Sequence, residues 1–406
     1  MQEDCVKLTS YLSERRPNGM VTSRSLARLY GEDQIAAGIV LRARGDSWSR
    51  HRLRDGAAPD ATEELPTVAT VVGSRPRIEA VLEQALKLSA PTLVTVGRAT
   101  LLSGDIDPVG LWDGPDDATK LTVYCSDRDR IYQVPAFEVI SELLHRRGIP
   151  GATVLVGLNG DDRRGGGRGR TADRYGTPMV VTAIGSGQQL GVMLPEIGGL
   201  LRQPRITIEK VRVCKRGGRL ISPPQEVPET QADGRTYWHK LTVYACDSAR
   251  HDGRSIHQVI RRRIRLAGLG SAVTLRGIWG FRGERVPHGG VHLPGVTIVI
   301  DPPERISAAF ALIDELTAKR GLVTSEMVAA VRRAPFTTRS HRLPSSLSND
   351  PFGRKSDPAI SGCEPPRLLK KARRTRRCCS RCAAAWCSPC CPPRTPASSW
   401  RRRRAP

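Results

Sequence analysis

The chain has 406 residues, 39% of them hydrophobic, and carries 64 Lys and Arg against 40 Asp and Glu for a net charge of +24. That length supplies material for about two to four domains with buried cores. No apolar run approaches the ~20 residues of a membrane-spanning helix, and the acidic opening Met1-Gln2-Glu3-Asp4 lacks the basic flank and apolar run of a secretory signal, which excludes an integral membrane protein and predicts a cytoplasmic one.

Along the chain one pattern recurs. A first copy opens with Lys7-Leu8-Thr9-Ser10-Tyr11, continues through Gly38-Ile39-Val40-Leu41 and Leu65-Pro66-Thr67-Val68, and has Ile78, Val81, Leu82, Ala85 and Leu86 spaced for one buried helix face. In the second copy Leu121 to Cys125 predicts a strand, and Ala136, Phe137, Val139, Ile140, Leu143 and Leu144 predict a helix capped by Gly148. Thr153 to Val156 and Met179 to Ile184 predict two more strands. Leu190 to Leu201 predicts a helix weakened by Pro195 and by glycines, and Ile206 to Val213 a last strand. The third copy repeats the second at a period of 120 residues: Lys120-Leu121-Thr122-Val123-Tyr124 returns as Lys240-Leu241-Thr242-Val243-Tyr244, Asp127 as Asp247, Gly148 as Gly268, and Gly157-Leu158-Asn159-Gly160 as Gly277-Ile278-Trp279-Gly280. Its second helix carries Ile306, Ala309, Phe310, Ile313 and Leu316 on one face.

The order strand, helix, strand, strand, helix, strand predicts an α+β fold: three tandem ferredoxin-like (βαββαβ) domains at residues 5–104, 118–216 and 238–334. Helices cover one face of each antiparallel sheet. Val123, Val154, Val180 and Ile208 are expected to make the other face apolar in places, so that three such faces cover each other as an intramolecular pseudo-trimer, monomeric in chain count. The links Asp105 to Ala118 and Gly218 to Thr236, rich in Pro, Gly and acidic residues, are long enough for side-by-side packing. Residues 336–406 hold 17 Lys and Arg against 3 Asp and Glu and seven of the eleven cysteines, with no periodic pattern, and are expected to be a disordered tail.

Lys-Leu-Thr-Val-Tyr, a helix ending in Arg146-Arg147-Gly148-Ile149 or Leu266-Ala267-Gly268-Leu269, then Gly151 to Gly157 or Ser271 to Gly277, then Gly277-Ile278-Trp279-Gly280-Phe281, resembles domain of unknown function 190, a relative of the PII signalling proteins. The third copy resembles it most. The second has Asp161-Asp162-Arg163-Arg164-Gly165-Gly166-Gly167 where the family's usual residues follow Gly160, and the first has Arg44-Gly45-Asp46 there. The resemblance implies PII-like domains in a trimer, with effectors bound between neighbours near a long loop after the second strand. It also implies a regulator whose loop engages a protein target such as a transporter or enzyme, an analogy at the level of fold.

Those loops are cationic: Arg42 and Arg44 in the first copy, Arg163, Arg164, Arg168 and Arg170 in the second, Arg276, Arg282, Arg285 and His288 in the third. Guanidinium forks bind phosphate or carboxylate bidentately and flanking glycines let N–H groups approach, so an anionic small molecule, a nucleotide effector among them, is the natural ligand. The alternative is a solvated basic loop. Gly157 and Gly160, with Gly277 and Gly280, resemble a phosphate cradle without its Lys-Ser/Thr, or else let the chain leave a strand and turn. Tyr124 and Tyr244 lack the companion aromatic strand of an RNA-binding sheet and are read as packing residues. No catalytic set repeats between copies, so the chain reads as no enzyme. In the tail, Cys379, Cys382, Cys387 and Cys390 form two Cys-x-x-Cys pairs only four residues apart, a weak zinc candidate; its composition equally fits a GC-rich gene translated past its end. Its arginine runs are expected to bind nucleic acid or anionic lipid nonspecifically, so the readings that rival a regulator are a nucleic-acid-binding protein driven by the tail and a structural adaptor.

Overall fold

In the computed structural model residues 1–12, 19–30, 36–47, 66–88, 93–111, 114, 116–158, 176–225, 237–283 and 293–332 are described. The predicted tail lies outside them. The first segment runs β1 (Gln2–Leu12), α1 (Gly19–Tyr30), β2 (Ala37–Arg42), β3 (Gly45–Asp46), β4 (Thr67–Gly73), α2 (Arg75–Leu88) and β5 (Leu93–Ser103). The second runs β6 (Asp117–Ser126), β7 (Arg130–Ile131), β8 (Val134–Pro135), α3 (Ala136–Arg146), β9 (Gly151–Val156), β10 (Pro178–Gly185), α4 (Gly187–Gly199), β11 (Arg205–Arg216) and β12 (Arg219–Leu220). The third runs β13 (Tyr237–Cys246), β14 (Arg250–His251), β15 (Arg254–Ser255), α5 (Ile256–Leu266), β16 (Ser271–Arg276), β17 (Trp279–Arg282), β18 (Pro294–Asp301), α6 (Pro303–Leu316) and β19 (Leu322–Arg332). The fold is mixed α+β. Among the described residues 15 strands share one sheet built from antiparallel pairings, and β7–β8 and β14–β15 form separate hairpins.

Period-two alternation assigns each strand two faces. Leu121 and Val123 of β6 face α3 and α4 in a core with Ile140, Leu144, Leu190, Leu194 and Ile206. Leu8, Val71, Ile78 and Leu82 form the corresponding core of the first segment, and Leu241, Val243, Ile260, Ile264, Ile306 and Ile313 that of the third. A fourth core draws on all three segments: Tyr11 and Val68, Val180 and Val211, Tyr244, Val273 and Leu275. The expectation for the open face is therefore corrected. Val180 lies in the shared core, but Val123, Val154 and Ile208 belong to the helix-covered one, because Val181, not Val180, stands opposite both Val123 and Val154.

Helix boundaries follow local chemistry. Gly148 and Gly268 adopt φ +75° and +65° just past α3 and α5, where their N–H groups close the last turn onto the His145 and Arg265 carbonyls. Helix α4 begins at Gly187, before the predicted Leu190, because Ser186 Oγ accepts the Gln189 N–H at 3.2 Å. Its glycines have a use the sequence does not disclose: a Cβ on Gly191 would collide with the Val109 carbonyl, and one on Gly198 would meet Ile106 Cδ1 at 2.9 Å. Part of the link predicted as a tether thus lies packed on α4, with Ile106, Val109 and Leu111 against the second core.

Three long strands join the segments. The end of β5 pairs with the start of β11, the end of β11 with the start of β19, and the end of β19 with the start of β5. Each last strand therefore lies between its own first strand and the other two segments.

Candidate functional site

One contact occurs three times where the chain leaves β2, β9 and β16. The N–H groups of Ala43, Gly157 and Gly277 each donate 2.7 Å bonds within their own segments, to the carbonyls of Pro66, Pro178 and Pro294. The next N–H crosses to a neighbour: Arg44 donates to the Thr274 carbonyl (2.8 Å), Leu158 to that of Val40 (2.7 Å) and Ile278 to that of Val154 (2.9 Å). First to third, second to first and third to second, the three bonds close a ring. Beyond them β3 pairs with β16, and β17 with β9.

The described candidate residues sit at this ring. Arg44 and Arg276 converge on Asp247, each 3.2 Å from its carboxylate, while both guanidinium side chains stay partly exposed at 49% and 41%. Two cations share one anion there. Arg42 is exposed at the end of β2. Arg282 is carried into the third–second junction, where its Nε makes no hydrogen bond among the described residues and burial first of all lowers its pKa to about 10. The room the glycines give up is taken by neighbouring strands: a Cβ on Gly157 would meet Ile39 Cγ1 at 2.7 Å, on Gly277 Pro294 Cγ at 2.8 Å, and on Gly280, at φ +144°, the Ala152 carbonyl. Gly160, Arg163, Arg164, Arg168, Arg170, Arg285, His288, Cys379, Cys382, Cys387 and Cys390 lie outside the described residues.

A second cluster was not singled out by sequence reasoning. Lys7, Lys120 and Lys240, known from the repeat only as its first letter, face inward beside Glu209 and Glu326. Glu209 bridges Lys7 at 2.7 Å and Lys120 at 3.1 Å, and Glu326 bridges Lys120 and Lys240. Register explains the arrangement, because Glu209 lies opposite Lys120 and Glu326 opposite Lys240. The signal was available as Thr-x-Glu in both last strands, a charged residue on an otherwise inward face.

Burial and neighbouring charge compete within this cluster. Burial alone would raise the Glu209 carboxyl, but Lys120, Lys7 and Lys240 outweigh it and hold the group at about 2; Glu326 is likewise held down by Lys120 and Lys240. Lys120, between two carboxylates, is driven well above its ordinary value despite burial. Lys7 differs. Burial lowers it to about 8, since Glu209 offsets only part of that cost and Lys120 and Lys240 repel its charge. Because the folded Glu209 pKa lies below its unfolded value, its contribution to stability is complete above pH ~4.5 and fades as pH falls towards 2. Acid titration of folding should therefore show a loss of the order of 3 kcal/mol across that window that is missing from Glu209→Gln, and superimposable acid limbs would contradict the assignment.

Other groups are packed into the frame. Tyr244 is buried in the shared core and Tyr124 packs against it, as expected of packing residues. Burial pushes the Cys5 thiol up to about 11 and those of Cys125 and Cys214 to about 12, so they stay protonated and poorly reactive. His257, buried on Thr297 Oγ1 at 2.8 Å, is lowered to about 4 by burial and remains neutral. His145, in the last turn of α3, stacks edge-on against Phe281 of β17 at 5.0 Å. Among the described residues no group of three or more potential metal ligands comes together, and no helix is long and apolar enough to cross a membrane.

No curated protein and no solved structure matches the chain. Residues 118–213 and 238–330 each match the family model DUF190, described as Uncharacterized ACR. The second and third segments are thus two copies of the DUF190 domain.

Proposed function

We propose that the chain is a non-catalytic, PII-like regulatory protein of the cytoplasm. In this reading three ferredoxin-like units at residues 5–104, 118–216 and 238–334 close into an internal pseudo-trimer. An anionic small molecule, a nucleotide in particular, binds in a cleft between units, and nearby basic loops carry its effect to a protein partner. The observation that carries the reading is the ring of equivalent bonds from Arg44, Leu158 and Ile278 to Thr274, Val40 and Val154, which brings each unit's loop base against its neighbour. At the first–third junction it leaves two guanidinium groups around one carboxylate, a net positive, partly exposed fork suited to phosphate oxygens.

Isothermal titration of the full chain with ATP, ADP, AMP and other phosphorylated metabolites tests it. At least one should give saturable heat, and Arg44→Ala combined with Arg276→Ala should weaken that binding at least ~10-fold, the effect of one lost charge-assisted hydrogen bond. Neither heat nor a thermal shift from any of them removes the proposal.

A further inference from the structure

The inward cluster is a threefold pattern with one member missing. Glu209 stands opposite Lys120 and Glu326 opposite Lys240, each reaching back to the lysine of the preceding segment. By the same register the residue opposite Lys7 is Gly97. The flanking residues confirm the alignment: Thr95 opposes Thr9, Thr207 opposes Thr122 and Thr324 opposes Thr242. A third carboxylate at position 97 would bridge Lys7 and Lys240. Without it, among the described residues, three ammonium groups share two carboxylates, and Lys7 and Lys240 touch one each where Lys120 touches two.

This position is half-buried beside two largely buried lysines, and it has room for a side chain. The side chains of Lys7 and Lys240 are only 13% and 12% exposed. A Cβ at Gly97 would meet a single neighbour, Val328 Cγ1, at 4.0 Å, an ordinary van der Waals distance. An ammonium has three donors, so both terminal lysines keep donors free of carboxylate. Leaving a surplus buried charge uncompensated is costly.

We infer that a small monovalent inorganic anion of chloride size binds over Gly97, bridging the Lys7 and Lys240 ammonium groups in place of the missing carboxylate. The repulsion that Lys7 experiences from Lys120 and Lys240 fits this need for a counter-charge. The site is separate from the Arg44–Asp247–Arg276 fork and does not depend on the proposed effector.

The test is thermal unfolding of the full chain at fixed ionic strength with sodium chloride replacing sodium gluconate. The parent midpoint should rise by about 2–4 °C as chloride increases, whereas Gly97→Glu, which supplies the carboxylate covalently, should show no specific rise. A chloride response equal in both proteins, or none in the parent, overturns the proposal. Crystals of the parent in sodium bromide give a readout free of any variant. An anomalous peak between Lys7 Nζ and Lys240 Nζ is expected, and a water or empty density there overturns it.

Discussion

Lys120→Met is expected to destabilise the chain by about 3–5 kcal/mol, while Lys7→Met should change stability by less than ~1 kcal/mol or raise it. Both remove a buried lysine from the same cluster. Lys120 contacts both carboxylates, so its loss leaves Glu209 and Glu326 as neighbouring anions with no cation between them. Among the carboxylates of the described residues Lys7 contacts only Glu209, which keeps Lys120, and its removal equalises the charges of the cluster. Its depressed pKa says the same thing: the fold disfavours its proton, so stability held back by Lys7 is recovered as pH rises from about 8 towards 10.5. Equilibrium denaturation of the two variants beside the parent decides the matter, and equal losses would mean the cluster does not discriminate between its lysines.

Phe281→Ala should cost about 3–5 kcal/mol, and the loss should appear in a transition shared by the second and third segments. Phe281 is 2% exposed, yet it lies in the core of the second segment with Ile140 and Leu144 although it belongs to the chain of the third. Trp279, two residues earlier, packs edge-on against Phe137 of α3 with ring centroids 6.0 Å apart. β17 is thus a strand lent by one unit to the next, and neither core is complete by itself. Denaturation followed by far-ultraviolet circular dichroism and tryptophan fluorescence should move as one curve to lower denaturant. A separate early step, with the rest of the protein unaffected, would contradict the interleaving.

Much of the local plan was legible because it rests on short-range chemistry. Lys-Leu-Thr-Val-Tyr marked β6 and β13, the spacing of Ile306, Ala309, Phe310, Ile313 and Leu316 marked α6, and Gly148 marked a helix end. Helix α1 was implied by the βαββαβ order but no residues marked it; Leu26, Leu29 and Tyr30 pack into the first core without a clean apolar stripe in the surrounding sequence. Face assignment failed at Val123 and Val154, where a one-residue difference in register decides which side a strand residue takes. The lysine–glutamate cluster was hidden for a different reason. Its partners come together only when last strands from different segments meet, a non-local pairing that no window of sequence contains. The Arg44–Asp247 contact has the same origin: Asp247 was visible as a repeated letter, but not as the acceptor for an arginine of another segment.

The ring of crossing bonds has a consequence for stoichiometry. Were the three junctions contributed by copies of one gene product, every substitution would appear at all of them together. Here Arg44, Leu158 and Ile278 occupy the same place with unlike side chains, so each junction is free to diverge alone. A ligand that needs the guanidinium of Arg44 would meet a single seat per molecule, and its saturation curve would be a plain hyperbola without communication among identical seats.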